Sequence, residues 1–448
     1  MRGRWAVLLL VVALIGAACG SRGDDSDDSG LGDTGGEQTD DGGGEGGGPP
    51  ADPEAPCGEG DASGATDIGV TDESITIATI QDIGGPVPGL FQGNLDAINA
   101  FVAYCNSLGG VNGRELVLAP FDSRLSEHRA ATEQACSAGF ALVGSGAALD
   151  SGGAQTAVDC GIPDVPGFTA ETAHAGATNV VQPLPNPPDL LAVGAQRYLA
   201  EEFPEAIETG AMFYVNAPVT QLNAEKRVVG YGELGFDFQV EIATDYPQDL
   251  NLGPKIEAVR SNNSQYVSMV GDVDNMANLV SELNTQGLEV EIIEFDAEGY
   301  QQEFIDQAGP AAEGVRFSIA ITPFEEADQN DEMQRYLFWR DQTGATAPPT
   351  ALGVQTWSAG LLFATALQSL GSDVTREGLL DALHGITEWD GHGIHAQANP
   401  GEDIPTECYL YLIVENGEFV RETPDEGFEC GDDNVLEVDY EFPPGAGT

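Results

Sequence analysis

The sequence predicts an α/β protein of two doubly wound parallel-sheet lobes, and the order of its apolar runs carries that expectation. Short, β-branched runs lie at 75–80, 116–119, 140–143, 162–165 and 180–182, and a second series at 211–215, 236–242, 266–270, 290–295 and 315–321. Strands apolar along nearly their whole length suit sheets covered by helices on both faces. Helical stretches fill the gaps, at 93–108, 126–138 and 152–159, then at 219–234, 252–262, 274–286 and 301–308. The connection at 169–179 has no clear period, and a helix over 189–203 joins the two series. Ligands of such sheets sit outside the carboxyl ends of the strands. Two lobes facing each other would therefore share one cleft, which suits a binding protein and equally a two-domain enzyme.

The first residues read as an export signal. Arg2 and Arg4 precede an apolar run over 5–18, a secretory layout and shorter than the roughly 20 residues a membrane helix needs. The run stops at Gly16-Ala-Ala-Cys19, small residues before a cysteine, so 1–18 is expected to be cleaved and Cys19 to carry a lipid. Gly16 departs from the leucine usual at that position. From 20 to 56 the chain is Gly, Asp, Glu, Ser and Pro, with Arg22 as its only cation. Such a segment buries too little to offset its ordering entropy and reads as a tether. The expected organisation is a signal peptide over 1–18, a disordered acidic linker over 19–66, lobe one over 67–188 and 325–400, and lobe two over 189–324 and 401–440.

The net charge of −58, from 16 basic and 74 acidic residues, excludes nucleic acid as a partner, because phosphate binding needs clustered cations. Spread through the chain, the acid reads as a solubility trait. Of seven cysteines, six remain after Cys19: Cys57, Cys105, Cys136, Cys160, Cys408 and Cys430. An even set in an exported chain implies disulfides, in any of fifteen connectivities. The absence of Cys-x-x-Cys leaves zinc and thioredoxin-like chemistry unsupported.

Several turns can carry a site. The loop 82–91 holds two glycines, two prolines and then Phe91, which either walls a pocket or sits in the core. Ser145, Ser151 and Thr169 follow strands, where hydroxyls and backbone N–H groups can hold a carboxylate or merely make loops polar. Asp272, Asp274 and Glu298 follow lobe-two strands and can pair with an ammonium, or be solvated acids. Gly144-Ser-Gly146 lacks the third glycine of a dinucleotide fingerprint, so no cofactor is expected. His392-Gly-Ile-His395, with His384 or Asp390 as a third ligand, is half a metal site in a glycine-rich loop, and no metal is expected. Neither a nucleophile elbow nor a P-loop occurs, and nothing demands an enzyme.

Val70-Thr-Asp-Glu-Ser-Ile-Thr-Ile77, the turn at Gly85-Pro86 and Gly109-Gly-Val-Asn-Gly-Arg114, in that order, resemble the periplasmic branched-chain amino-acid-binding family. The resemblance runs from about 68 to about 430. It implies the type I solute-binding fold of ABC importers, with three crossovers between the lobes. They would lie near 185–189, after Pro323-Phe324, and before strands near 409–414, with a helix over 355–370 in lobe one. It also implies an α-carboxylate held after the third and fourth strands of lobe one and an ammonium held by a lobe-two acid. Thr169 and Glu298 match those roles. Ala147-Ala-Leu-Asp150 departs from the serine-rich turn, and Thr220 and Asp272 stand where relatives carry aromatics. The implied ligand is a small polar solute, an amino acid or a related amide or amine. The implied partners are an ABC permease and, through the lipid, a membrane, with the protein acting as a monomer. A ligand-sensing lipoprotein of the same fold is the alternative. Family topology pairs Cys136 with Cys160 and Cys408 with Cys430, leaving Cys57 with Cys105. Each clip would contribute about 2–4 kcal/mol.

Overall fold

A computed structural model of the chain describes residues 48–245 and 249–440. The leader over 1–18, Cys19 and the linker up to residue 47 lie outside the described residues.

Lobe one begins with β1 (Ser74–Gln81), α1 (Gln92–Ser107), β2 (Glu115–Asp122), α2 (His128–Ala138) and β3 (Ala141–Val143). It continues through α3 (Ser151–Cys160), β4 (Asp164–Val165) and a single turn, α4 (Thr172–Ala175). The strands pair in parallel in the order β2-β1-β3-β4. Between α1 and β2, Gly110 takes a φ of 76° and a Cβ there would collide with the Arg114 carbonyl, so only glycine makes this turn. The strand expected over 180–182 is reduced to one parallel bridge, Asp164 to Val180. Pro183 and Pro185 follow it and bring no N–H to a ladder.

Lobe two holds β5 (Leu190–Ala192), α5 (Gly194–Glu202), β6 (Gly210–Val215), α6 (Pro218–Gly232), β7 (Phe238–Thr244) and α7 (Gly253–Asn262). β8 (Tyr266–Val270), α8 (Val273–Thr285), β9 (Ile292–Asp296), α9 (Gln302–Ala308) and β10 (Arg316–Ile319) follow. The chain then adds α10 (Asp331–Gln342), α11 (Ala351–Ser369) and α12 (Arg376–His384) to lobe one, where α10 and α11 pack on α1. It ends with β11 (Cys408–Glu415), β12 (Glu418–Thr423), β13 (Glu429–Cys430) and β14 (Val435–Glu437). The second sheet runs β12-β11-β10-β9-β8-β6-β7. It is parallel from β7 to β10 and antiparallel where β11 and β12 join it. α11 is buried nearly all round, as its apolar sequence requires, and Trp357 on it is fully enclosed.

Two boundaries differ from expectation. The helix over 189–203 is split: Leu190–Ala192 forms β5, paired antiparallel with β14, and only Gly194–Glu202 is helical. A partner strand from the far end of the chain decides this, and local helical propensity yields to it. The linker expected to reach residue 66 stops earlier, because the segment after Gly48 packs on lobe one. Cys57 is buried and bridged to Cys105 of α1, and the Tyr104 hydroxyl donates to Asp52 at 2.6 Å.

The other disulfides join Cys136 of α2 to Cys160 of α3, and Cys408 of β11 to Cys430 of β13. These are the pairs that the family topology implied. No helix among the described residues is long and apolar enough to cross a membrane.

Candidate functional site

Parallel strands of both sheets point their carboxyl ends at one cavity of about 640 Å³. Phe91, Thr169, Thr220, Asp272 and Glu298 line it, whereas Ser145 and Ser151 do not. Lobe one supplies an apolar wall that includes Leu90, Phe91, Leu125, Leu149, Phe168 and Leu352. Phe91 sits at the start of α1, its N–H donating to the Asp82 carbonyl at 3.2 Å. Its ring meets that of Phe168 at 4.9 Å between centroids, tilted by 58°.

Behind this wall the polar groups of lobe one satisfy one another. Asp82, fully buried, accepts from the Ser123 hydroxyl and the Leu125 N–H at 2.6 Å, and from the Ala148 N–H at 2.8 Å. Asp150 accepts from the N–H groups of Ala170 at 2.7 Å and Glu171 at 2.9 Å. Glu171 accepts in turn from the N–H of Ser151 at 3.0 Å and from its hydroxyl at 2.7 Å. His174 joins Asp150 and Asp164 through its two ring nitrogens, at 2.8 and 2.9 Å. Burial opposes a charge on His174, but the two carboxylates outweigh it and raise its pKa to about 10. Burial, then the His174 cation, lower neighbouring His128 to about 4.

Ser145 and Ser151 bond within lobe one and do not line the cavity. The Ser145 oxygen accepts from the Ile80 N–H at 3.1 Å and ties β1 to the loop after β3. Thr169 lines the cavity, yet its hydroxyl donates to Gln182 at 3.0 Å, and the Gln182 amide donates to the Leu184 carbonyl at 2.6 Å.

Lobe two is arranged differently. Thr220 donates to the carbonyls of Val215 and Ala217 and closes the first turn of α6. Asp272 caps α8, accepting from the Asn275 N–H at 3.1 Å, and burial raises its pKa. Asp296 pairs with the Arg227 guanidinium at 2.6 Å. In the Asp296-Ala-Glu-Gly299 turn the N–H of Glu298 donates back to the Asp296 carboxylate at 3.1 Å. That turn presents the Glu298 side chain to the cavity, where it has no hydrogen-bond or ion-pair partner among the described residues. Burial, then the charges of Asp296 and Asp272, push its pKa up to about 8.

Two groups were not singled out from sequence. Arg227 faces the cavity from α6, together with Thr220, Asn223 and Tyr231. Their spacing of three and four residues marks one helix face and was a usable signal. Glu294 lies buried in β9 and accepts from Gln196 at 3.0 Å, Ser318 at 2.9 Å, Tyr411 at 3.4 Å and the Tyr266 hydroxyl. An acid inside an otherwise apolar strand was its signal.

The two histidines of the glycine-rich loop do not converge. His395 is buried against the Ser358 hydroxyl at 2.8 Å, and His392 faces Asp52 at 3.7 Å. Asp52, Glu332 and His392 bring their ligand atoms within 4.8 Å of one another, but the Arg335 guanidinium already pairs with both acids.

Comparison with known proteins gives one family. The sequence model of the periplasmic binding protein family matches residues 74–417. No curated protein is a significant match to the sequence. Among solved structures, a leucine-binding protein from Thermotoga maritima aligns with a TM-score of 0.65 and 18% identity, over 78% of this chain and 98% of that one. A fatty acid ABC transporter substrate-binding protein from Thermomonospora curvata aligns at 0.68 and 16%, over 84% and 97%. A solute-binding protein from R. palustris, in complex with benzoate, aligns at 0.61 and 15%, over 80% and 98%. At these identities the likeness establishes the fold, the two-lobed α/β architecture of type I binding proteins.

Proposed function

Because the chain belongs to the periplasmic binding protein family, a family of binding proteins and not of enzymes, we propose that it is the solute-binding component of an ABC importer. It acts outside the cytoplasm, anchored through a lipid on Cys19 and reaching over the acidic linker to its permease. The tether keeps its effective concentration near that permease high. The observation that carries the reading is an acid without a partner, Glu298, in the cavity where both sheets end. A carboxylate left unpaired in a desolvated place is costly unless a ligand completes it. The solute is a small amino-bearing molecule whose ammonium meets Glu298. It binds one lobe in the open form and shifts the population toward the closed form, where the other lobe adds its contacts.

Thermal unfolding with amino acids, amides and amines, each at about 1 mM, tests this. A solute with a micromolar Kd adds about 4 kcal/mol at that concentration, a rise of several degrees in Tm. A flat response across all three classes would remove the transport reading.

A further inference from the structure

Most donors of the expected carboxylate cradle of lobe one are already taken by the protein's own side chains. The N–H of Ala148 is taken by Asp82, those of Ala170 and Glu171 by Asp150, and the N–H and hydroxyl of Ser151 by Glu171. The Thr169 proton goes to Gln182. At those donors a solute carboxylate would have to displace a buried or half-buried carboxylate held at 2.7–3.0 Å. It would gain one charge-assisted bond by breaking another.

Lobe two offers a carboxylate no better place. Arg227, the one cation lining the cavity among the described residues, is neutralised by Asp296, and Asp272, Glu294 and Glu298 remain. Opposite them, among the described residues, the wall of lobe one carries two packed rings and no charged side chain. The cavity of about 640 Å³ falls within the roughly 300–1,000 Å³ of sites for drug-sized ligands. That is more room than a branched-chain amino acid fills.

We infer that the solute is a hydrophobic amine without a carboxylate, its ammonium at Glu298 and its apolar body against Phe91, Phe168 and Leu149. This rests on the solute-binding reading and narrows it. The ammonium supplies a countercharge to Glu298 and to Asp272, since Asp296 already holds the Arg227 guanidinium. The body covers a wall that would otherwise hold water against apolar surface.

Calorimetric titration of the full chain near pH 8 with phenethylamine, phenylalanine, phenylpropionate and leucine tests the inference. Phenylalanine differs from phenethylamine by the carboxylate alone, and phenylpropionate exchanges the amine for an acid. Phenethylamine is expected to bind at least about tenfold tighter than the other three, a gap of about 1.4 kcal/mol or more. Glu298→Gln is expected to remove that preference while the unliganded protein melts no lower than wild type. Phenylalanine, phenylpropionate or leucine binding as tightly as phenethylamine would overturn the hydrophobic amine and keep the solute-binding reading. No heat from any of the four would overturn the inference, and silence of the wider thermal panel as well would take the parent reading with it.

Discussion

The two rims of the cleft use their polar groups in opposite ways. On lobe one, Asp82, Asp150, Glu171 and His174 find their partners within the lobe and hold the loops after β3 and β4. On lobe two, Glu298 stands unpaired beside two other acids. The first arrangement makes a rigid apolar wall, with the Cys136–Cys160 bridge tying α2 to α3 behind it. The second leaves an acid that either keeps its own proton, with its pKa pushed up to about 8, or takes a cation from a bound group. Rigidity and affinity are thereby assigned to different lobes. Substitutions should therefore separate them: in lobe one they cost stability, and in lobe two they cost binding.

The strongest way to break this division is His174→Leu. It leaves Asp150 and Asp164 buried and facing each other without a cation, and breaking a buried ion pair costs about 3–5 kcal/mol. Urea unfolding measures it, and a loss under about 1 kcal/mol would contradict that pairing. The sign with pH follows from the raised pKa of His174, about 10 against 6.5. The folded state holds this proton more tightly, so its contribution is complete below about pH 6.5 and is lost as pH rises through 10. The variant lacks that alkaline loss.

Glu298→Gln should act with the opposite sign on stability. The Glu298 pKa is raised from 4.5 to about 8, so the folded state loses stability as pH climbs across that interval and stays lower above it. The amide removes this penalty, a gain of about 1–2 kcal/mol near pH 8 that vanishes near pH 4.5, allowing for the partial solvent contact of the group. Thermal melts of the unliganded protein across pH 4.5–8.5 read it. A variant less stable than wild type at pH 8 would mean that Glu298 has a structural partner, and the contrast between the rims would fail.

Much of the frame was legible in the chain. Near-continuous apolar runs located the nine parallel strands among the described residues, and glycine-rich punctuation such as Gly109–Arg114 separated them from helices. β5 was not legible, because its strand form depends on β14. The segment after Gly48 was read as linker on composition, and the bridge from Cys57 to Cys105 overrides composition there. At the site, Glu298 was marked by its turn and by resemblance. Ser145 and Ser151 could be read either way for a physical reason: a hydroxyl after a strand serves the backbone or a neighbouring acid as readily as a ligand. In a chain with 74 acids, nothing local shows that Glu171 folds back onto Ser151. Arg227 went unremarked although cations are scarce here, because its cleft-facing position depends on how α6 lies across the sheet.

The smallest effect gives the sharpest comparison. Ser151→Ala deletes one hydroxyl donor to Glu171 while the Ser151 N–H keeps its own bond at 3.0 Å. The pair is half-buried, so the loss should be about 0.5–1 kcal/mol in urea unfolding. Ser151 lies outside the cavity lining, and solute affinity measured by titration should stay at the wild-type value. If affinity instead falls tenfold with stability intact, the serine reaches the ligand in the closed form. The carboxylate cradle would then be open after all, and the amine would have to share the cleft with an acid at its other end.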